Sequence, residues 1–119
     1  MIEMARRDIL PAVSRYITEL ATGVNATVTA VPDADVSVNR ELIVKLSNLV
    51  RKAHNALRSL ERAVDGAQKE TTDEARAFAF AQRVLPLMDA LRTHVDEMET
   101  LTDRTAWPMP TYGDLTYRV

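Results

Sequence analysis

Residues 39–103 read NRELIVKLSNLVRKAHNALRSLERAVDGAQKETTDEARAFAFAQRVLPLMDALRTHVDEMETLTD, and the spacing of their apolar side chains decides the fold. Leu42, Leu46, Leu49, Ala53, Ala56, Leu60, Ala63 and Ala67 recur at intervals of four and three. Phe78, Ala81, Leu85, Met88, Leu91, Val95, Met98 and Leu101 do nearly the same. That spacing gathers each set on one face of an α-helix, leaving a stripe to bury. The polar break from Gly66 to Thr72 is too short for anything but a reversal, and helices joined this way pack antiparallel. The stretch is predicted as a helical hairpin with arms over 39–66 and 72–103, each about 40–45 Å long.

Charge separates the two arms. Arg40, Lys45, Arg51, Lys52, Arg58 and Arg62 outnumber the acids of the first arm, while Asp73, Glu74, Asp89, Asp96, Glu97, Glu99 and Asp103 dominate the second. Folding at the break is expected to bring Arg62 near Asp73 and Glu74, and Arg40 near Glu97 and Glu99. Exposed pairs contribute only about 0–1 kcal/mol each, so they would select register rather than supply stability.

Helix is also expected upstream. Ile2, Ile9, Val13, Ile17, Leu20, Val24, Val28 and Val31 form a third stripe. Residues 24–31 alternate and are rich in β-branched residues, which also suits a strand. Two arguments favour helix: the stripe runs on from Leu20 in phase, and a lone strand would find no partner in this chain. Gly23 costs about 1 kcal/mol inside a helix, and Pro32 pushes the residue before it out of the α region. The expected first helix therefore covers about 2–30, with Ser37 or Asn39 as N-cap of the second helix. Thr71-x-x-Glu74 has the capping-box pattern for the third.

Ile9-Leu10-Pro11 and Val84-Leu85-Pro86 are local echoes inside helical patterns. Each proline removes a backbone donor and clashes with the carbonyl four residues back, so each is expected to bend its helix. The third pattern stops before Trp107-Pro108-Met109-Pro110-Thr111-Tyr112-Gly113-Asp114-Leu115, an irregular stretch whose aromatics must cap the bundle or dock elsewhere. The fold expected is all-α: an up-down-up three-helix bundle on a long antiparallel hairpin, with an irregular tail over 104–119, forming a single domain over 1–119.

Length and composition narrow the function classes. The chain has 119 residues, 46% hydrophobic and 27% charged, with a formal net charge of −2. These values suit one soluble domain and lack the basic excess that nucleic acid or an anionic membrane would demand. There is no cysteine, so thiolate metal sites, disulfides and a cysteine nucleophile are excluded. No membrane-length apolar run or signal-peptide pattern is present, and a cytoplasmic location is expected. Three glycines, none clustered, make no phosphate-cradling loop.

Candidate chemistry is thin. His54 and His94 lack the glutamate three residues before each that a four-helix di-iron site requires; Arg51 and Leu91 stand there instead. Asp96, Glu99 and Asp103 share one helical face, with Glu97 diverging, and read as a solvated charged surface. Ser14, Ser37, Ser47 and Ser59 have no nucleophile-elbow context. No catalytic, cofactor-binding or metal residue is expected in this chain.

The flanks carry more identity than the hairpin. Met4-Ala5-Arg6-Arg7-Asp8-Ile9-Leu10-Pro11-Ala12-Val13 resembles the opening of the C-terminal region of type III glutamine synthetases. Val84–Arg92 and then Trp107–Leu115 are similar to that family's closing helix and terminal motif, with Met109 where Phe is common. The resemblance covers almost the whole chain in order and spacing, though Thr22–Val38 and the hairpin arms agree only in helical character. It implies a piece of a large, homo-oligomeric enzyme of nitrogen metabolism that joins glutamate and ammonia using ATP and magnesium. The residues for that ligase chemistry would lie upstream, which also suits a first helix that starts at Ile2 without a cap. The expected partners are that upstream catalytic domain and neighbouring subunits, with the isolated chain inert and prone to dimerise through helix 1 or the tail. Two other readings are an independent helical interaction or dimerisation module and a small ligand-binding regulatory domain.

Overall fold

A computed structural model of the protein describes residues 2–103 and 106–108. Among these residues the regular structure is all helix, in three long helices with no strand. Helix α1 covers 2–30, joining Ile2–Met4, a π-helical turn at Ala5–Ile9 and Leu10–Ala30. Helix α2 is Ser37–Gln68. Helix α3 covers 73–101, joining Asp73–Ala79, a π-helical turn at Phe80–Val84 and Leu85–Leu101.

The β-branched run after Gly23 is helix as far as Ala30, and only Val31 is extended. Thr27 and Thr29 donate their hydroxyls to the carbonyls of Gly23 and Asn25, 2.7 and 2.8 Å away, so their polar groups are used without leaving the helix. Helix α2 extends past both expected ends. Gly66 is helical rather than part of the reversal, which is confined to 69–72.

Both expected caps shift. Ser37 and Asn39 lie inside α2. Asp35 accepts hydrogen bonds from the Ser37 amide (3.0 Å) and hydroxyl (2.6 Å), satisfying a donor that the first helical turn leaves open. At α3 the cap is Thr72, not Thr71: its hydroxyl accepts from the Ala75 amide at 3.1 Å, and Glu74 closes no box.

The prolines produce the π turns. The Leu10 amide bonds to the carbonyl of Ala5 and the Leu85 amide to that of Phe80, each five residues back. Pro11 and Pro86 follow immediately, so widening the preceding turn relieves the carbonyl that a proline ring would otherwise strike. The wider turn inserts one residue into the helical phase. In α3 the buried positions are Ala79, Val84, Leu91, Val95 and Met98, and the step from Ala79 to Val84 is five. Phe78, Ala81 and Leu85, expected in the stripe, are therefore exposed. Downstream of Pro86 the expected phase holds at Leu91, Val95 and Met98.

Helix α2 is the common partner. Helices α1 and α3 each pack along it and touch one another little. One core cluster joins Ile9 and Val13 of α1, Leu46, Ala53, Leu57 and Leu60 of α2, and Val84, Leu91 and Met98 of α3. Trp107 belongs to the same cluster, where a turn sends the amides of Ala106 and Trp107 back to the Asp103 carbonyl at 3.0 Å. The rest of the tail, 109–119, lies outside the described residues.

The expected ion pairs between the hairpin arms do not form. Among the described residues, Arg62 meets neither Asp73 nor Glu74, and Arg40 meets neither Glu97 nor Glu99. The pairs present are local, such as Glu41–Lys45 within α2 and Asp65–Lys69 at its end, apart from Arg6 of α1 with Glu61 of α2. The reason is orientation. On α2 the arginines lie opposite the buried Leu46, Leu49, Ala53 and Leu60, and the exposed acids of α3 lie opposite Leu91, Val95 and Met98. Faces turned away from a shared core cannot meet across it.

Candidate functional site

A concavity lies beside Pro11. There the α1–α2 seam opens into a groove of about 530 Å³, with Leu10, Pro11, Val50 and Leu57 as its apolar floor. Arg6, Ser14, His54, Arg58 and Glu61 form its rim, and the Arg6–Glu61 ion pair bridges one end. Arg6 is half-exposed and also lies 3.7 Å from Glu3, so its guanidinium is shared between two carboxylates.

The residues singled out in the sequence do not converge. His54 is exposed on the groove rim, whereas His94 sits half-buried on α3 and its Nδ1 has no hydrogen-bond partner among the described residues. Asp96, Glu97 and Asp103 are exposed and Glu99 is half-buried. Ser14 lines the groove, Ser37 is committed to Asp35, and Ser47 and Ser59 stand elsewhere on α2. Among the described residues, no three His, Asp or Glu side chains gather as a metal would require. The Asp35 carboxyl is held below the ordinary carboxylate range by the Ser37 hydroxyl, and secondarily by the Ser37 amide. It stabilises a helix start.

Chemically, the groove offers a hydrophobic floor with a mixed-charge rim. It can seat an apolar side chain and orient a carboxylate against Arg58. The sequence stripe on α2 omitted Leu57, which supplies part of that floor; its signal was its place four residues after Ala53 and three before Leu60, both buried.

No protein-family model matches the chain. Over 78 residues it is similar to a glutamine synthetase. That relative, from Bacteroides fragilis, is 30% identical across 66% of this chain. The match spans only 11% of the relative's own length. A relationship to glutamine synthetase is thus supported for a part of the size described here. Among the described residues, no helix is long and apolar enough to cross a membrane.

Proposed function

We propose that this chain is the C-terminal helical region of a type III glutamine synthetase, acting as a structural and assembly element. The observation that carries the reading is the 30% identity over 78 residues to a glutamine synthetase, combined with the Met4–Val13 and Trp107–Leu115 resemblances. In this reading the region is an up-down-up bundle of a cytoplasmic homo-oligomer. It packs on the upstream catalytic part and on neighbouring subunits. The Arg6–Glu61 pair between α1 and α2 and the groove along that seam support antiparallel packing of the first two helices.

ATP and magnesium belong to the parent enzyme's chemistry. In this reading the residues that hold them belong to the upstream catalytic part, and the chain is expected to be inert alone. The test is glutamine formation by the isolated chain with ATP, Mg²⁺, glutamate and ammonia: background rate is the expected result, and turnover above background would overturn the inert assignment. The reading frame upstream tests the parentage, since it should encode a ligase domain.

A second reading, an independent interaction module, is favoured by one observation. Phe78 and Leu85 are 68% and 45% exposed on α3, apolar side chains that the described residues leave uncovered. A stop codon directly before Met1 would favour that reading over the first.

A further inference from the structure

Helix α2 carries a stripe of positive charge that enters no ion pair among the described residues. At about 100° per residue, Arg40, Arg51, Arg58 and Arg62 fall within about 40° of one another around the axis. All four are exposed. Among the described residues none of them enters an ion pair, and Arg51 reaches only the Asn48 side chain, at 3.4 Å. The acids nearest the stripe are engaged already: Glu61 with Arg6, and Asp65 with Lys69. Arg58 and Arg62 stand four apart, a spacing at which like charges oppose the helix.

Helix α3 presents the complement. Asp89 and Asp96 share one outward face, with Arg92 between them and Glu97 diverging; all four are exposed, and none enters an ion pair among the described residues. Arg51 and Arg58 are seven residues apart, and so are Asp89 and Asp96. Each interval is about 10.5 Å along a helix, so two rungs coincide whether the helices run parallel or antiparallel.

The two faces cannot meet within one molecule, because each points away from the common core. We propose that the basic stripe of α2 docks on the acidic Asp89–Asp96 face of α3 of a second copy of this chain. Matched spacing and opposite charge within a single sequence select a copy of itself as the occupant. The net charge of −2 argues against a general polyanion surface. With the two faces on opposite sides of one molecule, the contact is heterologous and repeats head to tail from copy to copy. This surface differs from helix 1 and the tail, and it stands apart from the glutamine synthetase reading: its failure would leave that reading untouched.

Sedimentation velocity on the full chain tests it. Exposed ion pairs are weak and screened, so the expected result is self-association at low ionic strength that reverses at 1 M salt, where the Debye length is about 3 Å. Arg51→Glu with Arg58→Glu should weaken association roughly tenfold or more, as should Asp89→Lys with Asp96→Lys. Mixing the two doubly substituted chains should restore a hetero-oligomer. Circular dichroism of each variant confirms that exposed substitutions leave the helices intact. A wild-type chain that is monomeric at every salt concentration overturns the proposal. So does association indifferent to either charge reversal, or folded variants that fail to reassociate when mixed. A monomeric wild type that binds polyglutamate in a salt-dependent way would assign the stripe to another acidic partner, and would also overturn it.

Discussion

Asp35 shows how much a single carboxylate can decide at the start of a long helix. It lies outside α2, yet its oxygen takes both the hydroxyl and the amide of Ser37, and these bonds lower its pKa in the folded chain. A folded pKa below the unfolded one means a stabilising contribution that is complete above the unfolded value and lost as pH falls through the folded value. Asp35→Ala is therefore expected to lower the thermal midpoint at pH 7. The gap between variant and wild type should narrow as the solution is acidified through the carboxylate range, as followed by circular dichroism. A gap independent of pH would assign the loss to something other than the charged carboxylate. Thr72 does the analogous work for α3 with a neutral hydroxyl, so its contribution should not titrate.

The π turns explain at the level of whole helices where the sequence misleads. Apolar periodicity placed all three helices and most of α2's buried face, because Leu46, Leu49, Ala53 and Leu60 keep one phase from end to end. In α3 the same rule fails upstream of Pro86. It assumes one rotation per residue, and a five-residue bonding step adds a residue that the rule does not count. The echo of Leu-Pro in α1 and α3 was visible, but a proline by itself announces a bend and not a change of phase. The missing ion pairs have a similar origin: residue spacing ranks partners by height along the axis and says little about which way each face turns. The groove was illegible for another reason, since its residues come from two helices far apart in sequence. The phase shift makes a direct prediction. Val84→Ala, at a fully buried position, should destabilise by about 2 kcal/mol, and Leu85→Ala by less than about 1 kcal/mol. Urea titrations of both variants check it; the reverse order would restore the uninterrupted stripe.

Across the whole molecule, α2 holds together two helices that scarcely meet, so the ends of the structure depend on what closes over them. Trp107 is the only tryptophan of the chain and is 7% exposed within the core cluster, beyond the last helix. A large indole buried there ties the segment after α3 to the same cooperative unit as Ile9, Leu60 and Met98. Its fluorescence then reports global folding rather than a local terminus. The native chain should emit to the blue of free tryptophan and resist acrylamide quenching. In a urea titration the red shift of that emission should coincide with loss of the far-ultraviolet helical signal, the behaviour of one two-state unit. Trp107→Ala should cost about 3 kcal/mol or more, the scale for emptying a buried aromatic site. Native emission already at the solvent-exposed wavelength, or a red shift well ahead of the helical transition, would detach Trp107 from the core and leave the three helices to stand without it.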